Sequence, residues 1–200
     1  MISPDPTPDP DQDLWVFGYG SLMWNPGFPY VEERPGVVHG FHRSLCVRST
    51  EYRGTPDNPG LVLGLDRGGS CCGRTFRVAA AHVEATLAYL NEREQVTRVY
   101  CPHFVTAALN DGRTVKAYTF VVRHEHAQYV HLDLDEQARL VAHGVGDRGT
   151  AFEYLANTIE HIDALGISDT TLHHVLDLAR ALRAAEAPTP ATPTPANQAD

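Results

Sequence analysis

The sequence predicts an α+β domain whose strands form a mostly antiparallel sheet or barrel, and three observations carry that prediction. Strand-like apolar runs lead the chain and helical periodicities end it, with one helix inserted midway. Asp66-Arg67-Gly68-Gly69 and Asn110-Asp111-Gly112 are turn chemistry between candidate strands, as antiparallel neighbours require. Gly166-Ile167-Ser168 joins two helical stretches into a hairpin that closes the domain.

Leu14-Trp15-Val16-Phe17 is a continuous apolar run that stops at Gly18-Tyr19-Gly20-Ser21, the pattern of a buried strand breaking into a glycine-rich turn. Further strands are expected at residues 36–41, 44–47, 61–65, 74–78, 99–108 and 115–122. Helices are expected at residues 80–93, 135–143, 151–165 and 169–187. No internal repeat is present. Eight of the 14 prolines lie at the two ends of the 200-residue chain, alternating with Ser, Asp, Thr and Ala. Such segments have too little apolar surface to offset the entropy of ordering them. We therefore expect disordered tails at residues 1–12 and 188–200 and one domain over 13–187.

A net charge of -9 argues against nucleic acid and against an acidic membrane surface as partners; nothing identifies a protein partner. The N-terminus has no basic stretch followed by an apolar run, and no apolar run is long enough to span a bilayer, so a cytoplasmic protein is expected. Cys46, Cys71, Cys72 and Cys101 lack paired spacing and read as reduced thiols. The 11 histidines include no His-Glu-x-x-His, so no metal is expected, and His124, His126, His173 and His174 read as surface residues.

The helix at 80–93 gives the sharpest local inference. Val83, Leu87 and Leu90 mark its buried face, and at about 100° per residue the eleven steps from Val83 to Glu94 return within about 20° of that direction. Glu92 points the opposite way, so Glu94 should face the core and Glu92 water. A carboxylate so placed is either paired, with Arg93, Arg98 or Arg53, or held with a raised pKa for proton transfer. Gly18-Tyr19-Gly20 is not a dinucleotide fingerprint, since Met23 occupies the third glycine position and Pro26 opposes a following helix. Two readings remain for it: a concavity of backbone N–H groups suited to a carboxylate or oxyanion, or a tight turn needing positive φ. Ser21 and Ser49 lack a nucleophile-elbow context, and Cys101 reads as a small core thiol.

Together these segments resemble the ChaC-type γ-glutamylcyclotransferases. The likeness runs through Trp15-Val16-Phe17-Gly18-Tyr19-Gly20-Ser21-Leu22-Met23-Trp24-Asn25-Pro26, Phe28-Pro29-Tyr30, residues 49–55 (Ser-Thr-Glu-Tyr-Arg-Gly-Thr), residues 59–65 and Tyr89-Leu90-Asn91-Glu92-Arg93-Glu94. It implies a small, mostly antiparallel barrel flanked by helices, and cleavage of glutathione into 5-oxoproline and cysteinylglycine without metal or organic cofactor. It also implies Glu94 as general base and acid. Substrate contacts are implied at Val16, Phe17, Gly18, Tyr19, Gly20, Ser21 and Leu22 around the loop, and at Ser49, Arg53 and Tyr154. The chain departs from the family pattern after Glu94, where Gln95 to Tyr100 lacks Gly-Gly-Tyr. Two other readings are open: a cyclotransferase for other γ-glutamyl amides, and a cation-transport regulator that binds such ligands without turnover.

Overall fold

The fold comes from a computed structural model that describes residue 9, residues 11–94 and residues 97–186. The expected tails fall outside the described residues apart from positions 9, 11 and 12. Five strands close into a barrel: β1 (Leu14–Gly18), β2 (Glu32–Ser49), β3 (Gly60–Val78), β4 (Tyr100–Leu109) and β5 (Thr114–Val122), in the order β1-β3-β2-β4-β5. Every pairing is antiparallel except the closure, where Trp15 and Val16 lie parallel to Ala117 and Tyr118. Closure removes the free edges that an open sheet would present.

The continuous apolar run of β1 reflects burial on both faces. Val16 packs with Phe76, Val83, Leu90 and Phe120 beneath helix α1 (Ala80–Glu94). Its neighbour Phe17 belongs to the larger core shared with α2 (Leu134–His143), α3 (Ala151–Ala164) and α4 (Thr170–Glu186). Asp133 caps α2 by accepting from the Glu136 N–H. Thr150 and Glu153 form a reciprocal capping box at the start of α3, which fixes the direction in which Tyr154 leaves the helix. Before α3 comes a two-residue-stranded hairpin, β6 (Val145–Gly146) and β7 (Gly149–Thr150).

One sequence expectation is corrected. Residues 36–41 and 44–47 are a single strand, as are 61–65 and 74–78, and Asp66–Gly69 is not a turn between strands. It lies within β3, opposite residues 39–42 of β2, where the register slips between His39 and Phe41. Gly40, Gly68 and Gly69 adopt φ of 85°, 96° and 68° there. A bulge that bends a long hairpin demands the same left-handed glycines as a reverse turn, so the two look alike in sequence. The true connection between β2 and β3 is the loop at residues 50–59. The turn expected at Asn110–Gly112 does join β4 to β5.

Candidate active site

The glycine loop leaves the end of β1 and becomes a 3₁₀ turn at Ser21–Met23. The positive-φ reading of its glycines fails, because Gly20 sits at φ −133° and Gly18 is also outside the left-handed region. Gly18 needs space, since a Cβ there would stand 3.0 Å from the Leu22 Cβ; one on Gly20 would reach the Tyr154 hydroxyl at an ordinary contact distance of 3.4 Å. The loop is gripped from below by Arg43, whose buried guanidinium donates to the carbonyls of Tyr19 at 2.6 Å and Cys72 at 2.7 Å. It is gripped from the side by Arg93 at the end of α1. That guanidinium donates to Ser21 Oγ at 2.9 Å, the Asn25 carbonyl at 2.6 Å and the Tyr89 hydroxyl at 2.8 Å.

Glu94 follows directly. Its carboxylate meets Arg93 Nε at 3.1 Å and keeps 19% side-chain exposure, while Glu92 is exposed, as the helical spacing predicts. The structure therefore joins the two alternatives that spacing leaves open. Burial pushes the Glu94 carboxyl above its ordinary range, and the adjoining Arg93 charge pulls it back without cancelling the rise. Arg98 lies exposed, and Arg53 turns toward the Thr150 carbonyl at 3.4 Å.

Around Glu94 stand the phenols of Tyr19, Tyr100 and Tyr154. Burial raises all of them first, the nearby Glu94 charge adds to the rise, and Tyr154 reaches about 12. Each is therefore a neutral O–H donor at any ordinary pH. Tyr100 donates to the Leu63 carbonyl at 2.7 Å, which anchors its ring against β3. A small recess of about 40 Å³ lies between Glu94, these tyrosines and Gly20, Ser21 and Leu22. It adjoins a larger open cavity of about 630 Å³ whose wall includes Ser49, Arg53, Arg148, Tyr52, Ser21 and Glu94. That volume suits a small-molecule ligand.

Most residues expected at the site thus converge on it: Tyr19, Gly20, Ser21, Leu22, Ser49, Arg53, Glu94 and Tyr154 line the recess or the cavity. Ser49 does so while accepting from the Arg53 N–H at 3.0 Å. Val16 and Phe17 have fully buried side chains in the core, and the Phe17 carbonyl is already taken by Thr119 Oγ at 2.9 Å, so both act as scaffold for the loop. Gly18, the last residue of β1, lines neither space. Sequence reasoning missed Arg43, Tyr52 and Arg148, none of which has a spacing that marks it. Among the described residues no group of three or more His, Cys, Asp or Glu side chains is arranged to hold a metal ion. Nor is any described helix long and apolar enough to cross a membrane.

A partly buried carboxylate beside a glycine loop and a cavity of small-molecule size is an arrangement able to bind a small ligand and to exchange a proton with it. The chain belongs to the family described as ChaC-like protein, whose profile matches residues 14–184. Among its relatives is a glutathione-specific γ-glutamylcyclotransferase of Escherichia coli, 37% identical over 172 residues, spanning 84% of this chain and 73% of the relative. Another of that description, from Schizosaccharomyces pombe, is 30% identical over 181 residues, spanning 78% of this chain and 87% of the relative. A crystal structure of a yeast γ-glutamylcyclotransferase specific to glutathione superposes with a TM-score of 0.81 at 24% identity, covering 88% of this chain and 99% of that one. At that identity the superposition establishes the shared fold.

Proposed function

We propose that the protein is a glutathione-specific γ-glutamylcyclotransferase, and that Glu94 is its proton-transfer group. The observation that carries the reading is the Glu94 carboxyl, raised by burial yet tethered by Arg93, at the junction of the recess and the cavity. The relatives' activities and the family membership support the substrate.

The γ-glutamyl amine and the γ-amide carbon belong to one molecule, so ring closure draws on proximity alone once the chain is bent. Glu94 takes a proton from the substrate's α-ammonium. The freed amine attacks the γ-carbonyl carbon, forming the ring C–N bond and moving the carbonyl electron pair onto oxygen. The ring nitrogen, which carries two hydrogens after attack, releases one to solvent; collapse of the oxyanion then breaks the original amide bond as Glu94 returns its proton to the cysteinyl nitrogen, which departs as the amine. A carboxyl with a raised pKa suits both halves, since it is a stronger base when ionised and remains able to donate afterwards. The phenols of Tyr19 and Tyr154 and the backbone N–H groups of residues 20–22 are the donors for the oxyanion and the α-carboxylate. Ser49, Arg53 and Tyr154 complete the wall that receives substrate. The reading carries with it a cytoplasmic location, which the four free cysteines support.

The test is incubation of wild type and Glu94→Gln with glutathione, following 5-oxoproline and cysteinylglycine by mass spectrometry. Wild type should give both products, and the folded variant should lose at least about a hundredfold in rate. Absence of product from wild type would sink the reading.

A further inference from the structure

The cavity of about 630 Å³ extends well beyond the small recess, and the wall that carries Arg53 and Arg148 is basic apart from Glu51. That wall is built by two segments distant in sequence, the loop after β2 and the β6–β7 hairpin. Their backbones are zipped together: the Asp147 N–H donates to the Glu51 carbonyl at 3.0 Å and the Arg148 N–H to the Tyr52 carbonyl at 2.9 Å. Glycines make the approach possible. A Cβ on Gly146 would lie 2.3 Å from the Glu51 carbonyl oxygen, and one on Gly144 would lie 2.3 Å from the Gly60 Cα.

Arg148 sits at the tip of this docked hairpin. Its guanidinium stacks on the Tyr52 ring at 3.9 Å, and among the described residues no carboxylate comes within ion-pairing distance of it. Of the other guanidiniums that line the cavity, Arg48 lies exposed on β2 and the remaining two are engaged. Arg93 is spent on Glu94 and the glycine loop, and Arg53 bonds Thr150 and covers the Tyr154 ring at 5.5 Å. Arg148 and Glu94 line the same cavity, and the Arg148 charge favours the ionised form of Glu94. It also adds to the burial that makes the Arg53 charge costly, so the pair of arginines gains from an arriving anion.

Resting on the proposed cyclotransferase activity, we propose that Arg148 is the specificity-determining contact for the terminal carboxylate of the tripeptide, the glycine end of the departing dipeptide. From the γ-carbonyl to that carboxylate is two residues of extended chain, about 7 Å, and Arg148 lines the same cavity as Glu94. A stacked guanidinium presents its fork to a carboxylate at little entropic cost, because the hairpin and the Tyr52 ring already hold it. Substrates lacking this carboxylate, or carrying it one residue nearer, lose the contact while keeping the chemistry.

The experiment compares kcat/KM for glutathione with that for its glycine monoethyl ester, in wild type, Arg148→Ala and Arg148→Lys. Wild type should prefer glutathione over the ester by about tenfold or more, as expected for one charge-assisted carboxylate contact. Arg148→Ala should bring that ratio close to one, chiefly through a raised KM for glutathione; any change in kcat from losing its charge near Glu94 falls on both substrates and cancels in the ratio. Arg148→Lys should retain part of the preference. An undiminished preference in Arg148→Ala overturns the assignment, as does an equal loss on both substrates, which would place Arg148 at the α-carboxylate instead. If wild type turned over neither compound, the activity itself would be refuted and the assignment with it.

Discussion

Arg93→Ala tests how the site is held together. The substitution removes four hydrogen bonds, to Ser21, Asn25, Pro26 and Tyr89, and strips Glu94 of its partner at 3.1 Å. Breaking a fully buried pair costs about 3–5 kcal/mol; side chains with 13% and 19% exposure retain some solvent, which brings the expectation to about 2–4 kcal/mol. For a domain of this size that lowers Tm by about 5–15 °C. The loss depends on pH. Arg93 favours the ionised Glu94, so its removal lets burial drive the carboxyl still higher, and the acid limb of the kcat/KM profile moves to higher pH. Where Glu94 is protonated in both proteins the ion pair contributes nothing. The Tm gap should therefore widen as pH rises through the Glu94 pKa. Thermal melts from pH 4 to 9 with a parallel pH–rate profile provide the assay. A gap constant across pH, or an acid limb that stays in place, would refute the coupling between Arg93 and Glu94.

Glu94→Gln should be inactive yet no less stable than wild type at neutral pH. The folded-state carboxyl is raised, so its contribution to stability is full below the unfolded value of 4.5 and is lost as pH rises through the folded value; a neutral glutamine escapes that loss. Its Tm should exceed that of wild type by an amount that grows with pH above 4.5, and a variant less stable at pH 8 than at pH 4, relative to wild type, would contradict the burial of the charge. Gly20→Ala puts a methyl group 3.4 Å from the Tyr154 hydroxyl on the recess wall, so kcat/KM should fall about tenfold or more with Tm changed by only a few degrees, and normal turnover would remove the recess from the mechanism. Arg43→Met leaves the Tyr19 and Cys72 carbonyls without their donor and should cost about 1–3 kcal/mol in chemical denaturation together with a loss of activity; unaltered activity in a destabilised protein would limit Arg43 to folding.

How much of this was legible in the sequence depends on the range over which each feature is determined. The apolar run of β1 and the stripe of α1 are local periodicities, and they place the glycine loop and Glu94 correctly because a helix turns a count of residues into a direction. The long β2–β3 hairpin was read as shorter strands, since a bulge and a turn ask the same of Asp66–Gly69. The Arg148 side of the basic wall is not legible in the sequence for another reason, although the family resemblance marks Arg53. Arg53 and the Thr150 carbonyl are separated by 97 residues, and the docking of residues 51–54 on the β6–β7 hairpin is backbone against backbone, which leaves its trace only as Gly144, Gly146, Gly54 and Gly60. These glycines have no positive φ among them, so turn chemistry gives no warning of them.

The two guanidiniums that hold the glycine loop explain how a short irregular segment can act as part of a preorganised site. Arg43 is 4% exposed and Arg93 13%, and a guanidinium removed from water at that level is costly unless its donors are satisfied. Both satisfy them chiefly on backbone carbonyls and hydroxyls of the loop, the β3 strand and α1, so displacement of the loop would strand two buried charges at once. The loop is thereby fixed without long regular structure of its own, and Glu94, tied to one of the same guanidiniums, is fixed relative to it. Distance between the carboxylate and the recess is then set by the packing of α1 against β1 rather than by the substrate. A proton-transfer step that depends on hydrogen-bond reach gains directly from this arrangement, because no loop ordering has to accompany binding.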